Sequence, residues 1–154
     1  MTERIRFGPA LPEAYRHLAA AQRAMEKAAA DAGLDPRLIE LVKIRASQLN
    51  GCTYCVYVHS RDARELGESE RRLYLLAAWR EAPDYTEQER AALVLAEAMT
   101  KLSQTQEVPD GVYQEATKVL TEPQYVAVAW AVTVINAFNR LGVTSHTPLP
   151  AEAE

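Results

Sequence analysis

The chain has 154 residues, of which 48% are hydrophobic and 25% charged, a length and composition that predict one soluble globular domain with its own buried core. Its formal net charge of −4 and isoelectric point near 5.5 leave no broad basic surface, so neither nucleic acid nor a membrane is an expected partner. The N-terminal residues lack the apolar stretch and cleavage site of a secretory signal, and we therefore expect a cytoplasmic protein.

Helical periodicity runs through most of the chain, and no strand-like alternation of any length is present. Capping residues, glycines and prolines divide the pattern into about six or seven segments. The predicted helices cover residues 13–32, 36–49, 52–66, 69–81, 86–102, a shorter segment that ends near 120, and 124–141. The sequence therefore predicts an all-α bundle as a single domain over 1–154, with a core at about 36–141 and a loose tail at 143–154.

The last predicted helix is the most apolar segment of the protein. Its apolar run from Tyr125 to Phe138 is interrupted by Thr133 and Asn136, and it is shorter than the roughly 20 residues that a bilayer crossing needs. Apolar side chains occupy more than one face of this helix. The pattern predicts either a core helix or a helix at a subunit interface, and both alternatives stay open.

Both cysteines and one of the three histidines lie within ten residues of each other. An Asn-Gly dipeptide precedes Cys52 and is predicted to end one helix and open a helical hairpin. Cys52 then lies at a helix N-terminus, where free backbone N–H groups favour a thiolate. Cys55 and His59 are four residues apart and share a helix face with Cys52. In a reducing cytosol, a CxxC pair favours redox chemistry or metal binding over a structural disulfide.

Glu40 is predicted to meet His59 across this hairpin. It lies nine residues before the end of its helix, or about 13.5 Å, while His59 lies about 10.5 Å along the next helix, so the two side chains reach similar heights. Glu40 also stands in an otherwise apolar stretch, where a carboxylate requires a proton or a partner. We predict a Glu-His-Cys relay, with an ordinary ion pair to Lys43 or Arg45 as the alternative for Glu40.

The spacing of Glu40, Cys52, Cys55 and His59 resembles the Glu-x11-Cys-x2-Cys-x3-His signature of the alkylhydroperoxidase D-like branch of the carboxymuconolactone decarboxylase superfamily. The similarity extends over about residues 36–141. It implies an all-helical homo-oligomer, a trimer or a hexamer, with thiol-dependent peroxidase activity in antioxidant defence. The decarboxylase members of the superfamily lack the cysteine pair, which argues against decarboxylation here.

The one-turn spacing of Cys55 and His59 indicates roles for the site residues, and these roles are consistent with the family. Cys55 is expected to attack the peroxide with His59 as its base, and Cys52, at the more exposed helix start, to resolve the sulfenic acid and meet the reductant. The helix dipole alone would favour Cys52 as the nucleophile. No bound cofactor is expected, only an external dithiol, from a lipoyl-bearing partner or a peroxiredoxin system. Tyr54 replaces a second histidine of some members, and Tyr54 and Tyr57 are expected to pack in the pocket or line it.

Other interpretations of the same residues stay open. Cys52, Cys55, His59 and Glu40 could form a tetrahedral zinc site, although no second CxxC supports it. The cysteine pair could also be purely structural, and His59 a hydrogen-bonded core histidine. A general thiol-disulfide oxidoreductase and a non-enzymatic helical oligomer that senses oxidation or binds a partner are the alternative functions.

Overall fold

Every regular element in the described part of the chain is a helix. The computed structural model describes residues 2–151, which contain nine α-helices, one short 3-10 turn and no β-strand, and this confirms the predicted all-α class. The helices are α1 (Phe7–Ala10), α2 (Pro12–Asp31), α3 (Pro36–Asn50), α4 (Thr53–Glu65), α5 (Glu70–Leu75), α6 (Glu87–Thr100), α7 (Leu102–Thr105), α8 (Asp110–Val119) and α9 (Glu122–Ser145). The number exceeds the predicted six or seven because α1 and α7 are single turns; oligomerisation stays a prediction.

The helix boundaries follow from local capping chemistry. Thr86 and Thr121 open α6 and α9 with complete capping boxes, in which the side chain and the third residue of the helix exchange hydrogen bonds with the backbone. Asp35 and Ser69 cap α3 and α5 by accepting a backbone N–H. Gly51 ends α3 with a φ of 69°, a conformation that glycine adopts without strain.

The predicted helix over residues 69–81 is wrong in its second half. Only Glu70–Leu75 is α-helical, and a 3-10 turn at Leu76–Ala78 follows. The guanidinium of Arg90, on α6, donates hydrogen bonds to the carbonyls of Trp79, Arg80 and Ala82. These carbonyls are therefore satisfied by a distant side chain instead of by a continued helix.

The loose tail begins later than predicted, because α9 continues through Ser145. Ser145 is buried, its hydroxyl donates to the carbonyl of Leu141, and His146 closes the helix in the left-handed region. Residues 147–151 are not helical, and the remainder of the predicted tail, 152–154, lies outside the described residues. This extension matters because it brings Gly142 into a helix next to the cysteines.

Helix α9 is the central element of the core. It packs against α2, α3 and α6, and its apolar side chains join the largest buried cluster. Helix α2, which precedes the predicted core at 36–141, contributes Met25 and Ala29 to the same cluster. The apolar run of α9 was predicted to be too short to cross a membrane, but the whole helix, with 24 residues, is long and apolar enough to do so. Its contacts with other helices are nevertheless those of a core helix. Its other face exposes Val126 and Trp130, so a subunit interface there stays a prediction.

Candidate active site

The helical hairpin of α3 and α4 carries both cysteines, Glu40 and His59. The two helices pack closely along their lengths, and the connection between them is only Gly51 and Cys52. Cys52 is the N-cap of α4, and its Sγ accepts a hydrogen bond from the backbone N–H of Cys55 at 3.3 Å. Cys52 and Cys55 form a disulfide, so the structure shows the pair in its oxidised state.

The two sulfurs differ in their access to the surface, and not in the predicted way. Cys52 was expected at an exposed helix start, but it is 2% exposed and does not line the main pocket. Cys55 is 5% exposed and lines the main pocket. The reason is α9: a Cβ at Gly142 would lie 2.9 Å from Cys52 Sγ and 3.6 Å from Cys55 Sγ, so the helix backbone covers Cys52.

Glu40 and His59 are in direct contact, as the helix arithmetic predicted. Glu40 Oε2 lies 2.8 Å from His59 Nδ1, and Glu40 Oε1 accepts from Lys43 Nζ at 2.9 Å. Lys43 also donates to Glu26 Oε1, on α2, at 2.6 Å. Both proposed partners of Glu40, the histidine and the lysine, are therefore present at once.

These contacts set the charges behind the site. Burial raises the pKa of Glu40, but the hydrogen bond from His59 and the charge of Lys43 outweigh it and hold that pKa below its ordinary value. Burial lowers the pKa of Lys43, while Glu40 and Glu26 raise it and leave it above its ordinary value. At neutral pH, Glu40 is therefore an anion and Lys43 a cation.

An ionised Glu40 also selects the tautomer of His59. A carboxylate only accepts, so Nδ1 carries the proton that it donates to Glu40, and in the neutral form of the ring Nε2 is then the acceptor. Nε2 has no hydrogen-bond partner among residues 2–151. Every buried side-chain nitrogen and oxygen in this part of the chain has a partner, so Nε2 is not buried. Nε2 is therefore open to the pocket, whose wall includes His59.

The pocket has a volume of about 540 Å³, within the range of small-molecule sites. One face of α4 forms part of its wall, through Tyr54, Cys55, Val58, His59 and Asp62. Tyr54 thus lies in the pocket wall. Tyr57 does not line the pocket, because it is two residues from Cys55 and projects from a different side of the helix.

Asp62 and Gly142 are among the pocket residues that were missed from the sequence. Asp62 lines the pocket, and its Oδ2 lies 3.9 Å from His59 Nδ1; its position three residues after His59 could have indicated it. Gly142, on α9 and about ninety residues along the chain, lies so close to the sulfurs that an added Cβ would be 2.9 Å from Cys52 Sγ and 3.6 Å from Cys55 Sγ. No local pattern indicates Gly142, because its role depends on helix packing.

The predicted zinc site would need both cysteines as thiolates, and the structure has them in a disulfide. Both sulfurs are joined in the disulfide and are not available as thiolate ligands. Within the described residues, the group with metal-ligand spacing is Glu40, His59 and Asp62, whose ligand atoms lie within 4.8 Å of one another. Glu40 in this group is already bonded to His59 and Lys43.

Comparisons with known proteins identify the family of this chain. Residues 9–98 match the carboxymuconolactone decarboxylase family. The uncharacterized protein YdfG of Bacillus subtilis (strain 168) is 36% identical over 143 residues, which cover 93% of this chain and 94% of YdfG. A crystal structure of a protein of unknown function from Agrobacterium tumefaciens, regarded as a candidate antioxidant defence protein AhpD, has a TM-score of 0.88 and 36% identity, covering 98% of this chain and all of that one.

A more distant structure shares the fold alone. The apo form of the debrominase Bmp8 has a TM-score of 0.66 and 20% identity, covering 75% of this chain and 61% of that one. The family match covers more than half of the chain, and the resemblance to YdfG extends over nearly the whole of both proteins. This chain therefore belongs to the carboxymuconolactone decarboxylase family, as an AhpD-like member.

Proposed function

We propose that this protein is a thiol-dependent peroxidase that reduces hydroperoxides through Cys52 and Cys55 and serves in antioxidant defence. One observation carries the proposal. Cys55 and His59 line the same pocket, and His59 Nδ1 is hydrogen-bonded to Glu40. A thiol, a neutral imidazole with a free acceptor and an orienting carboxylate are the parts of an activated nucleophile. Membership of the AhpD-like branch and the description of the Agrobacterium relative support the same chemistry.

The first step uses the reduced pair. His59 Nε2 takes the proton of the Cys55 thiol, and the thiolate attacks one peroxide oxygen. The S–O bond forms as the O–O bond breaks, so sulfur is oxidised by two electrons and the peroxide is reduced. The leaving alkoxide takes the proton from His59 and departs as an alcohol, leaving Cys55 as a sulfenic acid.

The second step forms the disulfide that the structure contains. The Cys52 thiolate attacks Cys55 Sγ, and the sulfenic oxygen leaves with a proton as water. Cys52 is placed for this step because it is the N-cap of α4 and its Sγ accepts a hydrogen bond from Cys55 N–H. The same hydrogen bond and the helix N-terminus stabilise a thiolate on Cys52.

An external dithiol then resets the pair. Since Cys55 is the sulfur that lines the pocket, we propose that the dithiol attacks Cys55 and that Cys52 leaves as the stabilised thiolate. The dithiol thereby becomes a disulfide, and the enzyme recovers two thiols. This order replaces the initial expectation that Cys52 meets the reductant, because Cys52 is covered by α9. A small dithiol, a lipoyl-bearing protein or a peroxiredoxin system in the cytoplasm are the proposed sources.

The direct contact between Glu40 and His59 means that the relay needs no second histidine at position 54. Glu40 Oε2 and His59 Nδ1 are 2.8 Å apart, with no group between them. We propose that Tyr54 contributes to the pocket wall and takes no proton.

Hydroperoxide consumption with a small dithiol as reductant tests the proposal. Wild type is expected to consume an organic hydroperoxide, while Cys55→Ser and the double variant consume it at the background rate. Cys52→Ser is expected to be slower than wild type, because the external dithiol must then reduce the Cys55 sulfenic acid directly. His59→Asn is expected to lower kcat/KM by roughly 100-fold or more, the usual contribution of a general base. His17→Asn is the matched control, since His17 is exposed on α2 and outside the pocket. Wild type no faster than the double cysteine variant would contradict the peroxidase function.

Sulfenic acid trapping tests the order of the cysteines. After one equivalent of hydroperoxide, a dimedone probe is expected to label Cys55 in the Cys52→Ser variant. Label on Cys52 in Cys55→Ser, with none on Cys55 in Cys52→Ser, would reverse the assignment. Reduction of disulfide substrates without hydroperoxide consumption would favour the general oxidoreductase instead.

A further inference from the structure

The pocket over Cys55 contains two arginines, Arg6 and Arg23, that have no use in the chemistry above. We propose that they bind the carboxylate of an amphipathic ligand whose apolar body lies against the aromatic wall of the pocket. We further infer that this ligand is the hydroperoxide, so the preferred substrate is a carboxylate-bearing organic hydroperoxide. The second statement rests on the proposed peroxidase function, whereas the anion site does not.

Arg6 and Arg23 are exceptional among the arginines of this protein. The chain has thirteen arginines, and eleven of them donate to a carboxylate, an amide oxygen or a backbone carbonyl within residues 2–151. Only Arg6 and Arg23 make no such contact within the described chain, and both lie in the wall of the same pocket. A carboxylate is the anion that guanidinium geometry binds best besides phosphate.

The lack of partners does not come from a lack of carboxylates. Acidic residues outnumber basic ones, 21 to 17, and the net charge is −4. The acidic residue in the pocket wall, Asp62, accepts a hydrogen bond from Arg61 at 2.9 Å and lies 3.9 Å from His59 Nδ1. Within residues 2–151, Arg6 and Arg23 therefore have no anionic partner and can contact a ligand in the pocket.

The distribution of charge also orients the ligand. Asp62 shares α4 with Cys55 and His59, whereas Arg6 and Arg23 come from the N-terminal segment and α2. A ligand carboxylate is repelled by Asp62 and attracted by the arginines. Its other end, which carries the hydroperoxide, is then left for the side of the pocket formed by α4.

Aromatic side chains provide the surface for the apolar body. Phe7 and Tyr15 line the pocket although they are 37% and 43% exposed, and the Tyr15 ring packs edge-to-face on Phe138 at 5.7 Å. A volume of about 540 Å³ far exceeds what hydrogen peroxide occupies and fits a ligand with an apolar chain. The pocket thus combines apolar walls with a few polar groups, as ligand sites do.

Binding of an unreactive ligand tests the anion site without turnover. Decanoate and its neutral amide, decanamide, are titrated into the oxidised wild-type protein by calorimetry at low ionic strength. We expect decanoate to bind at least about 10-fold more tightly, and this ratio to fall toward one in Arg6→Gln/Arg23→Gln, because charge-assisted hydrogen bonds are lost. Arg16→Gln is the control, since Arg16 lies on α2, pairs with Glu13 and is outside the pocket wall. Equal binding of both ligands by wild type, or an unchanged ratio in the double variant, overturns the anion site.

Steady-state kinetics test the identity of the ligand. A fatty-acid hydroperoxide and its methyl ester are compared with one neutral dithiol, and dihydrolipoate and dihydrolipoamide with one neutral hydroperoxide. We expect kcat/KM to favour the charged hydroperoxide about 10-fold in wild type and in Arg16→Gln, but not in Arg6→Gln/Arg23→Gln. A charge preference on the dithiol alone assigns the site to the reductant and overturns the hydroperoxide inference. Arginine-dependent decanoate binding without any hydroperoxide turnover supports the anion site and contradicts the peroxidase function.

Discussion

Lys43 is the charged side chain on which the electrostatics of the site depend. It is 2% exposed and is held between Glu40 on its own helix and Glu26 on α2. A chain of side-chain contacts thus joins α2, α3 and α4, and it runs from Glu26 through Lys43 and Glu40 to His59. Because a buried cation requires an anion beside it, Lys43 keeps Glu40 ionised, and Glu40 in turn fixes the tautomer of His59.

Replacing Glu40 is expected to destabilise the protein as well as the site. Glu40→Gln removes one of the two anions that compensate buried Lys43 and weakens the bond to His59. We expect the free energy of unfolding to fall by about 2 kcal/mol, less than for a pair left with no counter-charge. Urea unfolding at pH 7 measures it. Glu26→Gln is the control, because the Glu26 side chain is 41% exposed and its pair should contribute below about 1 kcal/mol. Equal losses in the two variants would contradict this account.

The contribution of Glu40 is expected to depend on pH in one direction. Its pKa is lower in the folded protein than in the unfolded chain, so the unfolded state binds the proton more readily. The stability difference between wild type and Glu40→Gln is therefore fully present above the unfolded pKa of about 4.3 and is lost as the pH falls through the folded pKa. Urea unfolding at pH 7, 5, 4 and 3 checks this. A difference that stays constant down to pH 3 would show that the carboxylate charge is not its source.

Gly142 is expected to tolerate no side chain. A Cβ there would lie 2.9 Å from Cys52 Sγ, so α9 or the disulfide must move in Gly142→Ala. We expect a loss of about 1 to 3 kcal/mol in stability, typical of overpacking, and a lower peroxidase kcat. Gly111→Ala, in α8, is the matched control because its Cβ meets nothing within 4 Å; it should gain up to about 1 kcal/mol from helix propensity. Stabilisation by both substitutions in thermal unfolding would contradict the close approach.

At the scale of elements, local patterns were predictable and long-range ones were not. The hairpin of α3 and α4 and the contact of Glu40 with His59 follow from helix spacing across one short connection, so the sequence alone was sufficient. The early end of α5 depends on Arg90, and the cover over Cys52 depends on Gly142. Both effects come from helices distant in sequence, and periodicity carries no information about them.

The contribution of the N-terminal segment could not be predicted from local patterns either, because this segment completes the wall of the pocket. Helix α1 buries no residue, yet Arg6, Phe7, Gly8 and Pro9 all line the pocket, and Arg4 donates to the carbonyl of Thr144 at 2.9 Å. The sequence in this region has too few residues for a helical period, so no site could be predicted there. The segment is part of the pocket without being part of the core.

Deletion of residues 2–10 should therefore separate binding from stability. We expect the melting temperature to change by less than about 4 °C, equivalent to about 1 kcal/mol for a chain of this size. Decanoate binding should fall at least about 10-fold, because Arg6 and Phe7 are removed. Calorimetry and thermal unfolding measure the two effects, and a chain that ends after Thr147 is the control, since residues 148–151 are exposed and outside the pocket wall. Unfolding of the N-terminally truncated chain, or unchanged affinity, would contradict this role.

At the scale of the whole molecule, the disulfide lies apart from the largest buried cluster. The largest buried cluster joins apolar side chains of α2, α3, α6, α8 and α9. The cysteines belong to a separate, small cluster with Ala46 and Ile135, packed against Tyr54 and Phe138. The largest buried cluster thus does not include the cysteines. We therefore expect that the disulfide can form and break while this cluster stays packed.

Reduction is accordingly expected to leave the protein folded. The disulfide closes a loop of only four residues, so its constraint on the unfolded chain amounts to about 2 kcal/mol by the loop-entropy relation, against a total stability of roughly 5 to 15 kcal/mol for a domain. Urea unfolding of wild type with and without a phosphine reductant should differ by about this amount or less. Cys52→Ser/Cys55→Ser is the control and should not respond to the reductant. Loss of helical circular dichroism on reduction would show that the disulfide is structural, and it would remove the basis for a pair that cycles between two redox states in one stable fold.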